Sequence, residues 1–332
     1  MTTSILITGG TTGLGYHCAL TLAQKFPASR IFLASRSDKT HAATSINKSL
    51  SQKNVSYLPL DLSNRSKIRT FVQKWSDANY PPISHLLLNA GLQVPGDISY
   101  TDEGIEKTFG TNHVGHALLF HLLTPYLADD ARIVVTASGT HDPDQKSGLP
   151  DAVYTSAEEL ARPTTAENLT REGRQRYGTS KLVNIMWTYA LERRFEALRN
   201  RSESGSGSEG ARKNWTIASF DPGLMPGTGL ARDAGPVFRF LWYNVFPRIM
   251  PLLRLVYTAN IHTPEESGAS LAWFASDESV KGKSGVYFEG RKEIKSSKDS
   301  YDTAKQEDLW GWTVKNLAGG EEERARFELK GV

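Results

Sequence analysis

Short apolar runs alternate with longer amphipathic stretches through the first half of the chain. The runs at 5–7, 31–34, 55–60, 85–88 and 132–136 consist mostly of Ile, Leu, Val and Phe. Such runs are typical of strands that are buried on both faces of a parallel sheet. Because helical patterns separate them, the sequence predicts an α/β fold, a doubly wound (Rossmann) parallel sheet in a single domain, 1–332.

Helical periodicity predicts the elements between and after these strands. One helix follows the glycine-rich stretch at 9–15 and continues to Phe26, where Pro27 stops it. A second spans about 103–127. Residues 285–288 predict the last strand. Residues 301–332 predict an amphipathic C-terminal helix and a tail, with Trp310 and Val314 on the packing face.

Three segments interrupt the alternation. Residues 141–176 form a long insertion, which we expect to cover part of a substrate pocket because both of its ends adjoin candidate site residues. Residues 199–212 are rich in Ser and Gly and predict a flexible surface loop without chemistry. Residues 237–257 are rich in aromatic residues and Leu and predict an apolar substrate lid. Contact with a membrane surface is the competing interpretation of that segment.

Composition narrows the class of protein. The 332 residues carry a formal charge of +3, which is too small to indicate a nucleic-acid partner. Cys18 is the only cysteine, so no internal disulfide is expected and a reducing, cytoplasmic location is favoured. The apolar run that starts at Ile5 leaves no room for a targeting peptide. No apolar stretch has membrane-spanning length, so we expect membrane contact to be peripheral at most.

The stretch TGGTTGLG at 8–15 lies between the first strand and the first helix, as dinucleotide-binding loops do. Glycines let the backbone approach a pyrophosphate, and the N–H groups at the start of the helix face its phosphates. The spacing departs from Gly-x-Gly-x-x-Gly, and a plain glycine-rich turn is the alternative. The candidate cofactor contacts are Gly9, Thr11, Thr12, Gly13, Leu14 and Gly15.

The ends of the next two strands predict which nucleotide binds. An NAD site usually has an acidic residue after the second strand, whereas this chain has Arg36. A guanidinium suits a ribose 2′-phosphate, so we expect NADP(H); a solvated surface arginine is the alternative. After the third strand, Asp61 either accepts from an adenine amino group or caps the next helix, and Leu62 follows it.

Small and polar residues follow the fourth and fifth strands. Asn89, Ala90 and Gly91 would let a cofactor pass close to the backbone, and Ser138 lies just past the fifth strand. Ligands of doubly wound sheets bind beyond these strand ends, so the candidate residues are expected to converge there.

Tyr177 and Lys181 are four residues apart, and on a helix they would share one face. A nearby cation lowers the pKa of a phenol from its usual value near 10, so that it exchanges a proton more readily with a carbonyl or alcohol oxygen. This spacing alone also arises by chance in many helices.

Together these motifs resemble those of the short-chain dehydrogenase/reductase family. The matching residues occur in the family's order and cover about 4–290: Thr8-Gly9-x-x-x-Gly13-x-Gly15, Asn89-Ala90-Gly91, Asn112, Ser138, Tyr177-x-x-x-Lys181 and Pro222-Gly223. Within the family, the stretches at 222–230, 265–268 and 284–287 are most similar to one branch. That branch holds the retinol dehydrogenases, WW-domain oxidoreductase and the protochlorophyllide reductases.

The resemblance implies a role for each matching residue. Tyr177 resembles the proton donor, and Lys181 the residue that lowers its pKa and binds the nicotinamide ribose. Ser138 would hydrogen-bond the substrate carbonyl, and Asn112 would hold a water in the proton relay. Three further residues are implied contacts of the cofactor: Pro222, Gly223 and Thr228.

The chain also departs from the family's pattern. Thr12 stands where many NADP-preferring relatives have a basic residue, so the preference for NADP(H) depends mainly on Arg36. Gly227 stands where many relatives have a hydroxyl group, which leaves Thr228 beside it. His141, at the start of the insertion, either touches substrate or is structural, and structural roles are equally open for His113 and His116.

The sequence therefore predicts an NADPH-dependent reductase of a ketone or aldehyde on a bulky lipophilic small molecule, with alcohol oxidation as the reverse reaction. A role in secondary metabolism is expected, and no metal. Two alternatives stay open: an isomerase or cyclase of the same fold, and a cofactor-bound scaffold without turnover. The sequence does not distinguish a monomer from a homodimer.

Overall fold

The computed structural model describes residues 2–203, 213–231 and 234–329, and within them eight strands form one sheet. The sheet has the order β3-β2-β1-β4-β5-β6-β7-β8. Strands β1 to β7 are parallel, and β8 is antiparallel to β7. The strands are β1 (Ser4–Thr8), β2 (Arg30–Ser35), β3 (Val55–Pro59), β4 (Ile83–Leu88), β5 (Leu127–Thr136), β6 (Thr216–Asp221), β7 (Val286–Glu289) and β8 (Lys292–Ile294).

Helices cover both faces of the sheet. The α-helices are Gly13–Lys25, Ala42–Leu50, Arg65–Asp77, Lys107–Phe109, Gly115–Leu123, Ala157–Ala161, Ala166–Thr170, Gly173–Glu203, Pro236–Phe240, Met250–Val256, Pro264–Ser276, Thr303–Leu317 and Glu321–Phe327. Turns of π-helix occupy Gly110–Val114 and Leu241–Val245. Residues of one strand alternate between the two cores, as Ile5 and Ile7 lie in one and Leu6 in the other. The doubly wound fold expected from the apolar runs is confirmed.

Several boundaries differ from the expectations. β5 begins at Leu127, five residues before the predicted start, and β6 was not predicted as a strand. The helix expected over about 103–127 begins at Lys107 and contains the π-helical turn. The C-terminal helix is Thr303–Leu317, and Trp310 and Val314 are buried on it as expected.

The prediction of a flexible loop at 199–212 is wrong for its first five residues. Residues 199–203 are the last turn of helix Gly173–Glu203. Residues 204–212 lie outside the described residues, so the remainder of that prediction stays a prediction.

Most of the 141–176 insertion is folded onto the body of the protein. Tyr154, Ala157 and Ala161 belong to the main core. The Tyr154 hydroxyl donates a 2.6 Å hydrogen bond to Asp308 on the C-terminal helix. Residues 145–149 and Arg174 of the insertion line the cavity described below. The expectation that the insertion covers part of a substrate pocket stays a prediction for these residues.

Candidate active site

The carboxyl ends of the parallel strands open into a cavity of about 1820 Å³. All the predicted cofactor and catalytic residues line it except Asn112, which lies beneath Gly91. A single small ligand usually occupies about 300–1,000 Å³, so this cavity has room for a dinucleotide and a substrate together.

The glycine loop between β1 and helix Gly13–Lys25 has the backbone shape that a dinucleotide requires. Gly9 and Gly13 have φ of +68° and +53°, a region that side chains disfavour. A Cβ on Gly15 would collide with the Gly9 carbonyl oxygen, whereas a Cβ on Gly13 would meet nothing within 4 Å. The open space at Gly13 and the helix N-terminus that starts there fit the phosphates of a dinucleotide.

Two basic side chains border the cavity beyond β2. Arg36 and Lys39 are both exposed and both line it. The loop that carries them is tied to the glycine loop, because the Thr11 hydroxyl donates to the Ser37 carbonyl over 3.2 Å. Lys39 was not singled out from the sequence; its position three residues after Arg36 was the available signal.

Asp61 does not cap the helix that follows it. The N-cap is Asn64, whose side chain accepts from the Lys67 backbone N–H over 2.9 Å. Asp61 accepts from the Ser63 backbone and hydroxyl and from the Lys67 ammonium. Burial opposes ionisation, but these hydrogen bonds hold the pKa of Asp61 below its usual value. Asp61 and Leu62 both line the cavity.

The loop after β4 is held by Thr8 and a buried histidine. The Thr8 hydroxyl accepts from the backbone N–H groups of Asn89 and Ala90, at 2.8 and 2.9 Å. His116 Nδ1 lies 3.0 Å from the Asn112 carbonyl, which only accepts, so Nδ1 carries the proton. His116 Nε2 then accepts from Thr8 over 2.9 Å, and burial lowers the pKa of His116 to about 4, which keeps it neutral. His116 is therefore structural.

Asn112 lies in the π-helical turn Gly110–Val114, where the i→i+5 pattern replaces the usual one. Its side chain makes three hydrogen bonds. Oδ1 accepts from the Leu92 N–H, and Nδ2 donates to the Leu92 carbonyl and the Ser180 hydroxyl. The role of Asn112 in holding a relay water stays a prediction.

Ser138 ends the loop after β5, and His141 fixes it. His141 is fully buried; its Nδ1 donates to the Ser138 carbonyl over 2.7 Å, and its Nε2 accepts from the Ser297 N–H over 3.0 Å. Burial lowers the pKa of His141. His141 is thus a structural link between the serine loop and the C-terminal segment, and substrate contact by its ring is excluded. The Ser138 hydroxyl accepts a long 3.3 Å bond from Thr140 and keeps its proton to donate.

Tyr177 and Lys181 lie on one face of helix Gly173–Glu203. Lys181 Nζ is 5.5 Å from the Tyr177 ring centre and donates to the Thr136 carbonyl over 3.0 Å. Burial raises the pKa of Tyr177, and the Asp221 carboxylate acts in the same direction. Burial lowers the pKa of Lys181 to about 8, opposed by Asp221. The net shift of the Tyr177 pKa in the protein alone is therefore upward, and the lowering of that pKa by Lys181 stays a prediction.

Asp221, at the end of β6, is a site residue that the sequence reasoning missed. It is 1% exposed, and its oxygens accept from the N–H groups of Gly139 and Gly223, both at 2.9 Å. The Asn260 amide and the Tyr287 hydroxyl also donate to it. Asp221 thus joins the serine loop, the Pro222-Gly223 loop and the base of the lid. A carboxylate at the end of an apolar run, directly before Pro-Gly, was the signal available.

The part of the cavity that the predicted lid lines is mainly apolar. Phe238, Trp242 and Phe246 line the cavity from the predicted lid, and Leu253, Val256 and Tyr257 follow them. The Trp242 indole donates to the Thr228 carbonyl over 2.9 Å, and the Tyr257 hydroxyl donates to the Ser147 carbonyl over 2.7 Å. Within the insertion, 145–149 and Arg174 line the cavity opposite this segment.

Comparison with known proteins agrees with this geometry. The short chain dehydrogenase family model matches residues 3–157. Protochlorophyllide reductase of Pisum sativum is 29% identical over 327 residues, covering 92% of this chain and 76% of the relative. Polyprenol dehydrogenase of Homo sapiens is 27% identical over 313 residues, covering 92% of this chain and 82% of the relative.

A solved structure has the same fold. The structure from Shigella flexneri, assigned to the short-chain dehydrogenases and containing NADP, superposes with a TM-score of 0.58 at 19% identity. It covers 87% of this chain, and this chain covers 97% of it.

The chain is similar to the short-chain dehydrogenase/reductase family, through the model that matches residues 3–157 and through these relatives, which are 29% and 27% identical over most of its length. Within it, the chain resembles the branch that includes the protochlorophyllide reductases. Among the described residues, no helix is both long and apolar enough to cross a membrane.

Proposed function

We propose that this protein is an NADPH-dependent reductase of ketones or aldehydes on bulky, lipophilic small molecules. The observation that carries the proposal is the convergence of Ser138, Tyr177 and Lys181 in the cavity that the glycine loop and Arg36 also line. NADP in the Shigella flexneri structure of the same fold supports the choice of cofactor. The reverse reaction, oxidation of an alcohol, uses the same groups.

The reduced nicotinamide supplies the hydride when it is bound. The chain's own residues stabilise the negative charge that develops on the carbonyl oxygen of the substrate. The hydroxyl groups of Ser138 and Tyr177 are the donors available to it, and fixed donors in a water-poor site stabilise such charge strongly. Tyr177 then gives up its proton, and the Lys181 ammonium stabilises the phenolate that is left.

The apolar lining supports a lipophilic substrate. Phe238, Trp242 and Phe246 present aromatic surface to the cavity, and each buried CH₂ of a ligand contributes about 0.8 kcal/mol. A larger apolar substrate buries more surface in such a pocket and binds more tightly, so we expect kcat/KM to rise from small aldehydes to large ketones. The relatives' names, protochlorophyllide reductase and polyprenol dehydrogenase, point to large apolar substrates in those proteins.

The test is a panel of ketones, aldehydes and enones of graded size, following NADPH absorbance and identifying each product. We expect steady NADPH consumption matched by alcohol formation and a rise in kcat/KM with apolar bulk. Product formation without net NADPH consumption would indicate an isomerase or cyclase instead. No turnover of any compound, with tight NADPH binding, would indicate a binding protein.

A further inference from the structure

A cluster of large apolar side chains stays exposed on the outer side of the lid. Of the eleven such side chains in the described part of the chain, eight lie within 237–257. Leu255 is 83% exposed and Val237 is 74% exposed. Water-soluble proteins rarely keep large contiguous apolar patches, and those that exist mark contact sites.

These side chains share helical faces. Val237 and Phe240 are three apart on helix Pro236–Phe240, and Leu252, Leu255 and Val256 have the i, i+3, i+4 spacing on helix Met250–Val256. We call these five residues the lid face. The opposite side of the segment is anchored in the protein, because Trp242 and Met250 are buried. Because the inner side of the segment is packed against the protein, the lid face points toward solvent.

The charged side chains of the lid segment itself are all arginines. Residues 234–264 contain three arginines and no Asp or Glu. Arg239 and Arg248 are exposed, whereas Arg254 pairs with Glu266. Exposed apolar groups flanked by two exposed arginines, in a segment that has no acidic residue of its own, complement a bilayer surface that carries anionic headgroups.

We propose that the lid face docks on the surface of a bilayer that contains anionic lipids. Phe240 and Leu255 enter the interface, while Arg239 and Arg248 contact the headgroups. The inner side of the same segment lines the cavity, and Val256 belongs to both sides. A lipophilic substrate dissolved in the bilayer then reaches the cavity without crossing water. Docking itself requires no turnover, so it stands apart from the proposed reaction.

The test is co-sedimentation of the full chain with vesicles of phosphatidylcholine, with and without phosphatidylserine. The wild-type protein should bind the anionic vesicles more tightly, and added salt should weaken the binding. The double variant Phe240→Ser/Leu255→Ser should lose at least about tenfold in partitioning, because two apolar anchors are removed. Arg239→Glu/Arg248→Glu should lose binding to the anionic vesicles and keep the weaker binding to phosphatidylcholine.

Leu169→Ser is the matched control, because Leu169 is 43% exposed on a different helix. It should bind as the wild type does, and all variants should keep the wild-type melting temperature. Wild type that stays in the supernatant with anionic vesicles overturns the proposal. So does a wild-type dimer by light scattering that Phe240→Ser/Leu255→Ser converts to a monomer, since a second copy would then cover the lid face.

Discussion

Tyr177 is held in its protonated form by its surroundings, and its neighbour Lys181 is easier to deprotonate than usual. Desolvation raises the pKa of the phenol and lowers that of the ammonium to about 8. At neutral pH the pair therefore consists of a phenol with its proton and an ammonium with most of its charge. That state suits donation of a proton to a substrate oxygen better than removal of one from an alcohol.

Removing the Tyr177 hydroxyl should abolish most of the reduction. We expect Tyr177→Phe to lower kcat by roughly 10²–10⁴-fold, the usual contribution of a general acid, and to leave the Kd for NADPH unchanged. Stopped-flow absorbance and NADPH fluorescence measure the two quantities. Tyr189→Phe is the matched control, because Tyr189 is equally buried but bonds Ser296 outside the cavity. Retention of most activity in Tyr177→Phe would contradict the assignment.

The pH dependence of reduction should report Lys181. Below about pH 8 the ammonium is charged and stabilises the phenolate; above it the charge is lost. We therefore expect kcat/KM for reduction to fall as pH rises through about 8. Lys181→Arg keeps a charge at every accessible pH and should move this fall to higher pH, even where its rate is lower. An unchanged alkaline limb in Lys181→Arg would assign the titration to another group.

Arg36 should determine the preference for NADPH. A charge-assisted hydrogen bond contributes on the order of 1.5–3 kcal/mol, so Arg36→Ala should raise the Kd for NADPH by about ten- to a hundredfold. The Kd for NADH should change little. Isothermal titration of both cofactors measures this, and Arg324→Ala, an exposed arginine on the last helix, is the control. Equal losses for NADPH and NADH would mean that Arg36 does not contact the 2′-phosphate.

At the scale of single elements, the parallel sheet could be predicted from the sequence because buried strands are apolar throughout. The site residues could be predicted because the carboxyl ends of the strands in a doubly wound sheet lie at one edge. The roles of His141 and Asp221 could not be predicted. Each is fixed by partners far along the chain, Ser297 for His141 and Tyr287 for Asp221. No local pattern encodes such contacts.

The 141–176 insertion illustrates the same limit. Its prolines and polar residues do not indicate packing against the core, yet Tyr154 and Ala157 both donate hydrogen bonds to Asp308, about 150 residues later. The Asp308 carboxylate accepts hydrogen bonds from the buried Tyr154 hydroxyl and from the first N–H of helix Ala157–Ala161. These bonds hold the segment against the body of the protein. Residues 145–149 and Arg174 are the part of the insertion that lines the cavity together with the lid.

The segments that line the cavity should exchange amide hydrogens faster than the part of the insertion that packs in the core. We expect 145–149 and 236–257 to exchange fast and to slow when NADP and a substrate analogue bind together, because segments that close on a ligand are less stable than the sheet. Residues 154–161 should exchange slowly with or without ligand. Mass spectrometry of peptic peptides resolves these stretches. Slow exchange of 236–257 in the protein alone would show that the lid is rigid.

At the scale of the whole molecule, three buried histidines tie stability to pH. His113, His116 and His121 lie on consecutive turns between β4 and β5, and burial lowers the pKa of each, to about 3, 4 and 3. His116 has two hydrogen-bond partners, but within the described residues neither ring nitrogen of His121 has one. His121 instead stacks on Phe327, with ring centres 4.6 Å apart, and so helps to hold the last helix, Glu321–Phe327.

The sign of the pH effect follows from these shifts. The unfolded chain protonates its histidines below about pH 6.5, whereas the folded chain does so only near pH 3–4. Between these values the unfolded state binds more protons, so stability falls as the pH falls. Each histidine contributes a slope of up to about 1.4 kcal/mol per pH unit in that window. Above pH 6.5 all three are neutral in both states and contribute no slope.

His121→Leu should make the protein more resistant to acid. The change removes two ring nitrogens that lack partners and replaces them with an apolar side chain that still packs on Phe327. Urea unfolding at several pH values should give a free energy of unfolding near that of the wild type at pH 7.5, and an advantage for the variant that grows below pH 6.5. His41→Asn, an exposed position whose left-handed backbone Asn tolerates, should follow the wild-type pH curve. A variant advantage that is the same at pH 7.5 and pH 5 would mean that packing, not protonation of His121, determines the difference.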